Sequence, residues 1–129
     1  MYFAPHKLIL IVEDDADIGQ LLVQIIHQQT THRALHHLTA GDAIKAIMTI
    51  TPHLFILDYS LPDMNGLELY DWLQSFGHLK YVPTILMSAR NPPLEEIHKR
   101  GIIYLRKPFA VTELLATIKK LFVSQEYQA

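Results

Sequence analysis

The chain has 129 residues, half of them hydrophobic, with a formal charge of −2 and no cysteine. That length and apolar content point to one domain, 1–129, and argue against a disordered chain. Disulfides and thiolate chemistry are ruled out, the charge gives no electrostatic pull toward nucleic acid, and no apolar run approaches the roughly 20 residues that span a bilayer. His6 and Lys7 precede "LILIV" and acids follow at once, so the start does not read as a signal peptide, and a cytoplasmic location is expected. The acids are unevenly placed: Glu13, Asp14, Asp15 and Asp17 lie within five positions.

Apolar runs alternate with segments of helical period. "KLILIV" (7–12) reads as a buried strand. The following segment (14–29) places Ile18, Leu21, Leu22, Ile25 and Ile26 on one helical face, with Asp15 as N-cap and acids near the positive end of the dipole. Residues 32–38 form a weak strand candidate, and 39–50 a helix capped by Thr39. "HLFIL" (53–57) is the third strand, and Asp58 follows it directly. A helix capped by Asn65 runs over 65–76, and "VPTILMS" (82–88) is the fourth strand. Pro92 and Pro93 open a short helix over about 93–100, and "GIIYL" (101–105) is the fifth strand. An amphipathic helix over 109–122, with Lys119 and Lys120 in its last turn, completes the pattern.

Five strands alternating with five helices predict an α/β protein, a parallel sheet covered on both faces. In such sheets ligands sit beyond the carboxyl ends of the strands. Glu13 and Asp14 follow the first strand, Asp58 the third, Ser88 ends the fourth, and Lys107-Pro108 follows the fifth. Each has an ordinary explanation alone: a turn aspartate, acids complementing a helix dipole, a lysine before a helix start. Together they place three acids, a hydroxyl and an ammonium along one edge. Clustered carboxylates raise one another's pKa or recruit a cation, and oxygen ligands suit Mg²⁺. Asp14 and Asp58 would hold the metal, with Glu13 acting through a water. Asp58 would then attack a phosphoryl donor, while Ser88 and Lys107 receive the other phosphoryl oxygens.

"LILIVEDD", "ILDYSLPDMNG", "ILMSA" and "YLRKPF" together resemble the receiver domain of bacterial two-component response regulators, in that family's order and over about residues 6–123. The resemblance implies a doubly wound, CheY-like fold with strand order 2-1-3-4-5. It implies Asp58 as phosphoacceptor, and Glu13, Asp14, Asp58 and the main-chain carbonyl of Ser60 around Mg²⁺. Ser88 resembles the switch hydroxyl, Tyr104 the aromatic switch, and Lys107 the phosphoryl-contacting lysine. The implied donor is a histidine kinase or histidine phosphotransfer protein, with acetyl phosphate able to substitute. The implied output is a downstream effector protein or domain reached through the face of the fourth helix, fifth strand and fifth helix. Catalysis would be limited to the chain's own phosphorylation and dephosphorylation, with no direct binding of nucleic acid or membrane.

The chain departs from that pattern between Ser88 and Lys107, which only 18 residues separate. The shortened part is the fourth helix, so a monomer or weak homodimer with a non-standard output is expected. Ser60 and Arg90 occupy positions that tune phosphoryl lifetime in the family. The eight histidines form no convincingly spaced ligand set, His36 and His37 pointing to opposite faces of their strand. A phosphatase with an aspartate nucleophile would want a second acid at Ser60, and a flavin carrier would want a phosphate-cradling loop in place of "EDDADIG". A receiver that acts as a binding module without phosphorylation is the remaining alternative.

Overall fold

The computed structural model describes residues 6–126. Five strands alternate with five helices: β1 (Leu8–Val12), α1 (Ala16–Gln29), β2 (Arg33–His37), α2 (Ala40–Ala46), β3 (Leu54–Asp58), α3 (Gly66–Gln74), β4 (Thr84–Ser88), α4 (Leu94–Lys99), β5 (Ile103–Arg106) and α5 (Val111–Glu126). A single 3₁₀ turn at Gly77–Leu79 follows α3 where the sequence suggests continued helix to residue 76. The five strands pair in parallel throughout, in the order β2-β1-β3-β4-β5.

The strands bury both faces because their side chains alternate between two cores. Leu10, Val12, Phe55, Leu57 and Leu86 meet α2, α3 and α4 on one side. Ile9, Ile11, Leu54, Ile56 and Ile85 meet α1 and α5 on the other. Helix starts follow the side chains that can cap them. Asp15 accepts from the amides of Asp17 and Ile18, Thr39 from Asp42, and Asn65 forms a reciprocal capping box with Glu68.

Three sequence expectations need correction. The face of α1 that meets the sheet is Gly19, Leu22 and Ile26, whereas Ile18 is 38% and Leu21 54% exposed. The apolar stripe is wider than the core contact, and part of it faces outward. The fifth strand begins at Ile103 rather than 101, because the chain turns at Gly101 on leaving α4. The third strand extends to Asp58, so the carboxylate belongs to the strand itself.

Helix α4 has only six residues, too few to be stable by propensity alone. Arg100 fastens it: its guanidinium forks onto Asp71 of α3 with two bonds of 2.9 Å and holds the Glu96 carbonyl at 2.9 Å. The Tyr70 hydroxyl donates to the Arg100 carbonyl at 3.1 Å. Arg100→Met is expected to cost about 1 kcal/mol and to speed amide exchange in α4 before the rest of the fold. Unchanged exchange in α4 would contradict that role.

Candidate functional site

The carboxyl edge of the central strands gathers the site. Glu13 continues β1, its amide donating to the His37 carbonyl at 3.0 Å, and its side chain is buried, only 1% exposed. Asp58 ends β3, held in line by the Tyr59 amide on the Met87 carbonyl at 2.8 Å. Asp14 stands between Glu13 and the capping Asp15, on the solvent side. One oxygen from each of Glu13, Asp14 and Asp58 lies within 4.8 Å of the others. Lys107 follows β5, its amide donating to the Ser88 carbonyl at 2.9 Å. Its ammonium ion-pairs with Glu13 and lies 3.5 Å from Asp58 Oδ2, with the side chain 18% exposed.

This crowding sets the electrostatics. Burial, then the hydrogen bond to Glu13 and its negative charge, push the Asp58 carboxyl up to about 7, although Lys107 opposes the shift. Burial also works against ionised Glu13, but hydrogen bonds from Asp58 and Lys107 outweigh it and hold that carboxyl below its ordinary value. Burial opposes the Lys107 charge as well, yet its acidic partners keep its pKa raised. Of the two buried acids, Glu13 is therefore the one favoured as an anion beside Lys107, and ionising Asp58 next to it is costly.

The remaining candidates sit around this centre. The Ser88 side chain is buried, donates to the Arg90 carbonyl at 2.9 Å and accepts from the Arg90 amide at 3.0 Å. The Tyr104 hydroxyl lies 3.3 Å from the Ser88 carbonyl and 3.4 Å from that of Arg90, so β5 is tied to the loop after β4. Ser60 donates its amide to Asp58 Oδ1 at 3.4 Å. The acids and Lys107 thus converge, whereas Ser88 and Tyr104 are engaged with the β4–α4 loop.

Sequence reasoning missed two neighbours of the site. Ile18, Leu21 and Ile25 on α1 join Pro108, Phe109 and Val111 around an open apolar groove of about 360 Å³ that reaches Lys107. Periodicity showed these α1 residues as apolar but could not show that the sheet leaves them free. His36 also reaches the site, through the Glu13 carbonyl. Three others serve the opposite end of the sheet: His32 and His53 accept from the amides of Lys7 and Leu8, and His27 from that of Ala34.

The donor set fits a small hard cation. Three carboxylate oxygens within bridging distance, one of them destabilised as an anion, are what Mg²⁺ would relieve. Glu13, Asp14 and Asp58 would hold it.

A doubly wound sheet with acids and a lysine at its carboxyl edge defines a receiver-type module. The comparisons agree. Residues 9–119 match the model of the response regulator receiver domain, and the chain belongs to that family. It is 32% identical to the transcriptional regulatory protein GltR of Pseudomonas aeruginosa, over 92% of this chain and 50% of that protein. The chain spans about half the length of the transcriptional regulators it matches. It is 27% identical to the polar-differentiation response regulator DivK of Brucella anthropi, over 88% of this chain and 94% of that one. The CheY-like receiver domain protein of Methanospirillum hungatei superimposes with a TM-score of 0.89 at 26% identity, covering 97% of this chain and all of that one. Receiver domains bind Mg²⁺ at an acidic pocket of the kind formed by Glu13, Asp14 and Asp58.

Proposed function

We propose that the chain is a phosphorylation-activated switch whose acceptor is Asp58. The observation that carries this reading is the convergence of Glu13, Asp14, Asp58 and Lys107 at one sheet edge. An Asp58 carboxylate oxygen forms the new bond to phosphorus, and the phosphorus–nitrogen bond of a phosphohistidine, or the phosphorus–oxygen bond of acetyl phosphate, breaks. Glu13, Asp14, Asp58 and the Ser60 carbonyl would hold Mg²⁺, which would supply the charge neutralisation that an anionic nucleophile needs to meet an anionic donor. Lys107 leaves its pairing with Glu13 to meet a phosphoryl oxygen, and the chain performs no other catalysis.

The apolar groove along α1 beside Lys107 suits the docking of the donor, a histidine kinase or histidine phosphotransfer domain. A phosphoryl group adds up to two charges and acceptors that Ser88 can meet only by giving up Arg90. Tyr104 shares the Arg90 carbonyl with Ser88 and also bonds the Ser88 carbonyl, so movement of Ser88 and its loop reaches the α4–β5–α5 face, where a downstream effector would read it. Arg90, exposed beside this loop, tunes the phosphoryl lifetime together with Ser60. The two-turn α4 offers little area to a second copy, so the phosphorylated chain is expected to remain monomeric or weakly dimeric by light scattering; a tight phosphorylation-dependent dimer through α4 would contradict this. The switch works in the cytoplasm through protein partners, without contacting nucleic acid itself.

Beryllofluoride, a phosphoryl mimic, tests the switch. With Mg²⁺ it is expected to shift the amide resonances of Ser88, Tyr104 and Lys107, and to leave Asp58→Asn unchanged. Equal shifts in that variant, or none in the wild type, would favour a receiver that works as a phosphorylation-independent binding module.

A further inference from the structure

The peptide that joins Glu13 to Asp14 carries two of the three acids of the cation site, and it is held by a side chain from another strand. His36, on β2, lies with its Nε2 2.7 Å from the Glu13 carbonyl oxygen. A carbonyl can only accept, so Nε2 carries the proton and donates. Because the peptide unit is planar, fixing its carbonyl fixes the plane, and with it the Glu13 ψ and the Asp14 φ. The Glu13 amide is held separately by the His37 carbonyl at 3.0 Å. On the far side, Asp15 is fixed as the α1 cap through the amides of Asp17 and Ile18 at 2.9 and 3.1 Å. Asp14 is exposed and makes none of these contacts itself, so its direction is set by its neighbours.

The ring reaches this carbonyl by crossing the first turn of α1. A Cβ on Gly19 would lie 2.1 Å from Cε1 and Nε2 of His36 and 2.5 Å from Cδ2, distances no side chain tolerates. Glycine within a helix costs about 1 kcal/mol relative to alanine, and here it makes the seat for the ring.

We infer that His36, seated on Gly19, is a positioning residue for the cation site, orienting the Glu13–Asp14 peptide so that both carboxylates face Asp58. This rests on the Mg²⁺-dependent reading of the site. The role needs a donor at the position of Nε2 and space above residue 19.

Mg²⁺ titration calorimetry on the unphosphorylated protein tests it. His36→Ala is expected to weaken Mg²⁺ about tenfold, the lower end for groups that orient a metal's ligands, and His36→Gln, which restores an amide donor, to recover most of that loss. Gly19→Ala, which displaces the ring without touching it chemically, is expected to weaken Mg²⁺ similarly, although alanine is the better helix former. In the Gly19→Ala/His36→Ala double variant the added methyl has room, so Mg²⁺ binding should be no weaker than in His36→Ala alone. Additive losses, a Gln variant as weak as the Ala variant, or a His36→Ala variant within twofold of the wild type would overturn the inference while leaving the site itself intact. A wild type that binds no Mg²⁺ would overturn both.

Discussion

Replacing Asp58 by asparagine is expected to stabilise the metal-free protein at about pH 8, by roughly 2–4 kcal/mol, while removing its ability to accept a phosphoryl group. The sign follows from the direction of the shift. Burial and Glu13 raise the folded-state carboxyl from 3.8 to about 7, so the folded chain binds a proton that the unfolded chain has released. The stability this proton confers is whole below pH 3.8 and is lost as pH rises through about 7. Asparagine keeps the shape and has no charge to desolvate, so the variant should gain over the wild type as pH rises and match it near pH 4. Millimolar Mg²⁺ should narrow the gap, because it binds the folded wild type and stabilises it by mass action. Urea unfolding at the two pH values, with and without Mg²⁺, reads all of this. A variant less stable than the wild type at the higher pH would show that the carboxylate is not under strain.

The second large effect falls on Gly66, the first residue of α3. Its amide donates to the Tyr59 carbonyl at 2.8 Å, which folds the loop from Asp58 back against β3. A Cβ there would lie 2.6 Å from the Asp58 carbonyl oxygen and 2.7 Å from Leu86 Cδ1. Leu86 could swing aside, but the Asp58 oxygen is backbone in a central strand and cannot move without breaking the sheet. Gly66→Ala is therefore expected to cost about 3 kcal/mol, lowering the melting temperature by about 10 °C. Phosphorylation should slow as well, since the strain enters at the acceptor residue itself. A variant that melts with the wild type would mean that α3 can shift freely along β3.

Much of this architecture could be read before any coordinates because its signals are local. Asp15, Thr39 and Asn65 each stand one residue before a helical stripe, and each caps the helix it precedes. The short α4 was visible in the spacing of Pro92-Pro93 from Gly101. The acids and Lys107 could be placed together because strand ends in a parallel sheet share an edge. What escaped the sequence depended on contacts between distant segments. Ile18 and Leu21 look like core positions by period, but the helix meets the sheet through Gly19, Leu22 and Ile26, which leaves them on its outer side. His36 meets Gly19 and Glu13 only because β2 pairs with β1, a register no local pattern specifies. The raised pKa of Asp58 likewise comes from burial and from Glu13, 45 positions away.

The account stands most directly on phosphorylation of Asp58, and intact mass spectrometry reads it. Wild type and Asp58→Asn are incubated with acetyl phosphate, and separately with a phosphorylated histidine phosphotransfer domain, in the presence and absence of Mg²⁺. One phosphoryl group on the wild type, lost in the variant and without Mg²⁺, is the result the geometry predicts. A wild type left unmodified by both donors, or a variant modified as fully as the wild type, would contradict it.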